Sequence, residues 1–176
     1  MELLAALLST ILQAELRTAE EARRSEKFQA ETLTDELTRL YNRRGWDRLL
    51  ALEEERCRRY GHTAAVLILD LDELKLVNDA QGHAAGDALI VRAGSALRAA
   101  TRSLDIVARL GGDEFGILSA ECNRVGGEAL LKRVRIALAE ENVKAAVGLA
   151  MREPSVGLEG ACAIADKLMY EEKRSR

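Results

Sequence analysis

Four residues, Gly111-Gly112-Asp113-Glu114, separate two short apolar runs, Ile106 to Leu110 and Phe115 to Leu118. Strand, short tip and strand is the pattern of a β-hairpin, so the chain must fold around a sheet. A second run, Ala64 to Leu69, is apolar without interruption and stops at Asp70-Leu71-Asp72, as a strand buried on both faces does. If the hairpin lies beside that strand, four carboxylates converge: Asp70, Asp72, Asp113 and Glu114.

The remaining periodicities fill in the frame. They predict helices from about Arg43 through Tyr60, ended by Gly61-His62, and from Leu74 to Asn78. A turn is expected over Gly82-His83-Ala84-Ala85-Gly86-Asp87, then a helix over Ala88 to Ala100. Gly127 to Ala139 reads as a helix, Val143 to Met151 as a strand and Gly160 to Lys173 as a final helix. The order α-β-α-α-β-β-α-β-α implies a mixed α/β (α+β) domain, a central sheet with helices packed on it.

Upstream, Glu2 to Glu31 contains neither Gly nor Pro, and one long helix is predicted there. Leu3 to Leu8 is apolar all round, whereas Ala14 to Glu31 keeps a thin stripe through Leu16, Ala19, Ala22 and Ala30. A thin stripe suits the seam of a dimerising coiled coil, although Arg23 and Glu26 interrupt it and a solvated linker helix is the alternative. The capping residues of Thr32 to Thr38 place a boundary, giving a helix over 1–32 and a domain over 33–176.

Composition narrows the function. With 26 Lys and Arg against 29 Asp and Glu, a net charge of −3 and no long block of one sign, nucleic acid is not the expected partner. Aromatic residues at 3% offer no stacking platform for single strands. Cys57, Cys122 and Cys162 lie too far apart for a zinc knuckle or a disulfide framework, which fits the reducing cytoplasm. The apolar start, Met1 to Leu12, is too short to span a bilayer and lacks a signal peptide's basic flank, so no membrane association is expected.

The acids carry the chemistry. Mg²⁺ binds through one or two carboxylates plus substrate phosphates, so a phosphoryl or nucleotidyl transfer site is one reading of the cluster. The other is that strand ends and turn tips carry Asp for solubility. Gly111 and Gly112 remove side chains where a backbone could approach phosphate, and also suit a tight turn with positive φ. Asn78 and Asp87 offer the complement of a guanine edge, and are equally at home in a turn without any ligand.

Taken together, Gly111-Gly112-Asp113-Glu114-Phe115 resembles the signature of the GGDEF family of diguanylate cyclases. The likeness extends to Asp35-Glu36-Leu37-Thr38-Arg39-Leu40-Tyr41-Asn42-Arg43-Arg44, to Asp70-Leu71-Asp72 with Lys75, Asn78, Asp79, Gly82-His83 and Gly86-Asp87, and to Ala165-Asp166-Lys167 with Tyr170 and Lys173. It covers residues 33 to 173 in the family's order. Leu74 is a departure, since family members often carry Phe there.

The resemblance implies a polymerase-palm or nucleotidyl-cyclase-like sheet, preceded by the long helix, and a transferase that condenses two GTP into cyclic di-GMP and pyrophosphate. Asp70, the Leu71 carbonyl and Asp113 would hold two divalent ions, Mg²⁺ or Mn²⁺, with Glu114 assisting metal binding or proton removal. Asn78 and Asp87 would read guanine. Leu74, Lys75 and Lys173 would meet the terminal phosphates, and Gly111 and Gly112 the nucleotide over the hairpin. One domain holds one GTP, so the active species would be a homodimer in a bacterial cytoplasm. Arg102-Ser103-Leu104-Asp105 stands where many members carry an inhibitory product site, with Arg133 as a second contact. The alternatives are a catalytically silent module that binds GTP or cyclic di-GMP, and a purely structural dimerisation role. A chain ending just past Lys173 also reads as a fragment of a longer protein.

Overall fold

The computed structural model describes residue 15 and residues 33–175. The helix expected over residues 2–31, with its seam and its apolar start, otherwise lies outside the described residues. From residue 33 onward the elements follow in the predicted order. They are α1 (Arg43–Tyr60), β1 (Ala64–Leu71), α2 (Leu74–Gln81), α3 (His83–Ala100), β2 (Ile106–Arg109), β3 (Glu114–Ala120), α4 (Arg124–Glu140), β4 (Ala145–Met151) and α5 (Gly157–Arg174).

The strands form one antiparallel sheet in the order β2-β3-β1-β4. All eight residues of β1 are buried, as its unbroken apolar run requires of a central strand covered on both faces. Alternation divides them. Leu67, Leu69 and Leu71 pack with Leu89 and Leu97 of α3 and Leu130 and Val134 of α4. Val66 and Ile68 pack on the opposite face with Trp46 of α1 and Leu158, Ala165 and Met169 of α5.

Local signals set the helix limits. The Asn42 side chain accepts the Gly45 N–H at 2.9 Å to start α1, and Gly61, at φ 72°, ends it in the left-handed region. The expected turn over residues 82–87 is much shorter. Gly82 alone, at φ 84°, reverses the chain, and helix resumes at His83 because Ala84 and Ala85 are strong helix formers. Asn78 and Asp87 therefore sit on two consecutive helices. At β4, a Cβ on Gly148 would lie 1.9 Å from the Ala165 carbonyl oxygen, so α5 rests directly on the strand's backbone.

A partly buried ion pair ties α1 to the start of α5. Glu54 accepts two bonds from Arg152, at 2.8 and 2.7 Å, and one from the Leu158 N–H at 2.8 Å. The Arg152 bonds, opposed by burial, hold the Glu54 carboxyl below its ordinary pKa. Glu54→Gln is expected to destabilise the fold by about 2 kcal/mol at pH 7, because it removes the counter-charge and the charge-assisted bonds of the partly buried Arg152. A carboxylate with a depressed folded pKa contributes stability above its unfolded value, and loses it as pH falls through the folded one. The gap between wild type and variant is thus expected to shrink below about pH 4, the ordinary carboxylate range. Urea unfolding at pH 7 and pH 3 checks this, and an unchanged gap would refute it.

Candidate active site

Strand register brings the expected acids together. Asp70 on β1 is paired with Glu114 on β3. One position on, the Leu71 N–H donates to the Asp113 carbonyl at 3.0 Å. Because N–H and C=O of one strand residue point the same way in an antiparallel ladder, the Leu71 carbonyl also faces the hairpin tip.

Asp70 is 8% exposed, and Lys173 from α5 donates to its carboxylate. Burial raises the Asp70 pKa, and the charges of Asp113 and Asp72 raise it further against the Lys173 bond. The same bond to Asp70 raises the Lys173 pKa and holds the amine protonated. A desolvated carboxylate pressed by two like charges is stabilised by an added cation. The donor set therefore fits a hard divalent ion: two carboxylates, Asp70 and Asp113, and the Leu71 carbonyl. Among the described residues no three His, Cys, Asp or Glu side chains form a metal cage. An ion here would complete its shell with water or phosphate oxygens, the habit of Mg²⁺.

The hairpin tip is braced by residues that had no assigned role in the expected site. Arg109 donates to the Gly112 carbonyl from Nε at 3.2 Å and from a terminal nitrogen at 2.9 Å, and its other terminal nitrogen pairs with Asp35 at 3.2 Å. Burial works against the Asp35 charge, but the Thr38 bonds and the Arg109 charge hold its pKa below the ordinary value. Arg43 adds a bond from Nε to the Leu110 carbonyl at 3.1 Å and an ion pair with Glu114 at 3.5 Å. The opening motif is thus a support wrapped around the tip. Arg109, two residues before the glycines, was the available signal. Neither Gly111 nor Gly112 has a positive φ. This corrects the conformational expectation: what their hydrogens provide is space, and a Cβ on Gly112 would meet nothing within 4 Å.

Farther along, a Cβ on Gly86 would lie 2.0 Å from Asn78 Oδ1, so glycine lets the Asn78 amide lie flat against α3, next to the exposed Asp87. Lys75 is exposed, and Leu74 packs against the core despite replacing the bulkier Phe. The residue before α2, Glu73, is held at φ 66°, a strained conformation at the mouth of this loop.

The Arg102–Asp105 turn stands apart, at the end of α3. Asp105 is 5% exposed and faces inward, accepting the Arg102 N–H at 2.8 Å and the Ser119 hydroxyl at 2.8 Å. Arg98 also grips the turn, donating to the carbonyls of Asp105 and Arg102. Arg102 is exposed, and Arg133 reaches the same corner by donating to the Ala100 carbonyl at 3.1 Å.

The family pattern described as diguanylate cyclase, GGDEF domain, matches residues 32–176. The chain belongs to the GGDEF family. It is similar to the probable diguanylate cyclase DgcC of Escherichia coli (strain K12), 39% identical over 106 residues, 60% of this chain and 28% of that protein. The diguanylate cyclase DgcP of Pseudomonas aeruginosa is 33% identical over 152 residues, 81% of this chain and 23% of that protein. The chain spans only about a quarter of the length of these relatives. Among solved structures, a sensory box/GGDEF family protein of Caulobacter crescentus has a TM-score of 0.73 at 32% identity, over 82% of this chain and 99% of that one. The coiled coil and GGDEF domain of Caulobacter crescentus DgcB, in complex with c-di-GMP, has a TM-score of 0.86 at 23% identity, over 96% of this chain and 95% of that one, a likeness of fold. The mixed α+β architecture, with its four-stranded antiparallel sheet and five helices among the described residues, is that of a GGDEF domain. No helix among the described residues is long and apolar enough to cross a membrane.

Proposed function

We propose that residues 33–176 form a diguanylate cyclase domain that joins two GTP molecules into cyclic di-GMP, as a homodimer with one GTP per subunit. The observation that carries this reading is the meeting of Asp70, the Leu71 carbonyl and Asp113 beside Lys173. Asp70, Leu71 and Asp113 would hold divalent ions, which when bound stabilise the attacking and leaving oxygens of an in-line displacement. Asn78 and Asp87 orient the guanine, while Lys75 and Lys173 meet the terminal phosphates and Leu74 shapes the loop beneath them. Glu114, the strand partner of Asp70, would assist metal binding or accept the proton of the attacking 3′-hydroxyl. That oxygen bonds to the α-phosphorus of the facing GTP, the bond to the bridging oxygen breaks, and pyrophosphate leaves. Two such steps release two pyrophosphates and close the ring.

Each domain supplies one GTP and faces a second copy. Arg102, just past α3, and Arg133 of α4 form a product-binding corner, with inward-facing Asp105 holding the turn. The test is cyclic di-GMP formation from GTP and Mg²⁺ over a range of protein concentrations, with the dimer fraction followed in parallel. Synthesis is expected to rise with the dimer fraction. A dimeric chain that binds GTP and releases no product would overturn the reading in favour of a silent binding module.

A further inference from the structure

Lys173 is carried on the last turn of α5, and that turn lacks an apolar anchor. Met169 is the last buried residue of the helix, and Tyr170, Glu171, Lys173 and Arg174 are exposed. Helix ends of this kind fray. Glu172 is the exception. Its carboxylate accepts two bonds from Arg135 of α4, at 3.0 and 2.6 Å, and one from the Val147 N–H of β4 at 3.3 Å.

The arrangement passes around the edge of the sheet. The Asp72 N–H bonds to the Lys144 carbonyl at 2.9 Å, and continuing that alternation along β4 turns the Val147 N–H away from β1, to the open edge. There it meets a carboxylate instead of another strand. α4 packs on one face of the sheet and α5 on the other, so the Arg135–Glu172 pair straps the two layers together one residue before Lys173.

We propose that Arg135 and Glu172 are positioning residues that fix the last turn of α5, so that Lys173 is presented to Asp70 and to the substrate phosphates. The proposal rests on the cyclase reading for its substrate. A lysine is a point charge on a flexible stem, so its aim depends on where its Cα is held. Neither Arg135 nor Glu172 touches the reacting atoms in this scheme; both act through Lys173.

The experiment is a double-mutant cycle in the full chain, reading the KM for GTP, kcat and the melting temperature. Arg135→Ala is expected to raise KM roughly tenfold, a decade less than the ~100-fold cost of a 1 Å misplacement, with kcat changed less than KM. In a Lys173→Ala background the same change is expected to add almost nothing, since contacts that act through one group are not additive. Arg135→Lys, which keeps a charged donor, is expected to restore part of the loss, and carries the same cycle if Arg135→Ala does not fold. Equal losses in both backgrounds, or an unchanged KM, would overturn the proposal. Amide exchange of residues 170–174 reads the strap without substrate: faster exchange in Arg135→Ala supports it, and unchanged exchange sinks it. Absence of product from the wild-type chain would instead count against the cyclase reading alone.

Discussion

Asp113→Ala is expected to lower cyclic di-GMP synthesis by at least ~1000-fold, the equivalent of several kcal/mol of lost stabilisation at the transferring phosphoryl group. It is also expected to leave the melting temperature within a few degrees of the wild type. The structure separates the two effects. What holds the hairpin tip leaves the Asp113 side chain out: the Asp113 carbonyl accepts from the Leu71 N–H, and the Gly112 carbonyl from the Arg109 side chain. What the side chain contributes is charge next to Asp70, where like charge already opposes ionisation. Removing it takes away one of two carboxylates on which the proposed ions depend, and relieves repulsion in the folded protein. Product formation and thermal melting on the same sample check this. Activity retained within tenfold would show that the metal assignment is wrong.

Gly148→Ala is expected to have the largest effect on folding, a loss of about 4 kcal/mol, beyond the 1–3 kcal/mol of ordinary overpacking. The added Cβ would stand 1.9 Å from the Ala165 carbonyl oxygen and 2.6 Å from the Met169 nitrogen. Both are backbone atoms of α5, so no rotamer change makes room. The helix must lift from β4 along a contact that buries Leu158, Ala161, Ala165 and Met169. For a chain of this size the melting temperature is expected to fall by roughly 8–16 °C. A fall of less than 3 °C would mean that α5 rides more loosely on the sheet than its geometry implies.

Much of the frame was legible because it is written in local pattern. The unbroken run of β1 and the turn residues around each helix gave the order of elements and the acids at the strand ends, and the resemblance gave those acids their roles. What escaped depends on register and distance along the chain. Asp35 and Arg109 stand 74 residues apart, and only the packing of the opening motif against the hairpin shows that they meet. Gly82 sits in a stretch rich in turn formers, yet one residue makes the reversal and α3 begins a turn earlier than its periodicity suggested. No local motif marks Glu172, because the edge amide it serves belongs to a strand 25 residues earlier.

The strand order has a consequence for how the chain is made. β1 occupies the middle of the sheet, yet it precedes both its neighbours by some distance: Leu67 is paired with Ile117 on one side and Leu149 on the other. A ribosome delivers its eight buried residues long before either partner has emerged. Such a segment is sticky while it waits, and pairings between distant residues form slowly. The domain therefore cannot close until translation has passed Met151, and variants that slow elongation between β1 and β4 are expected to aggregate even where the finished fold is unchanged.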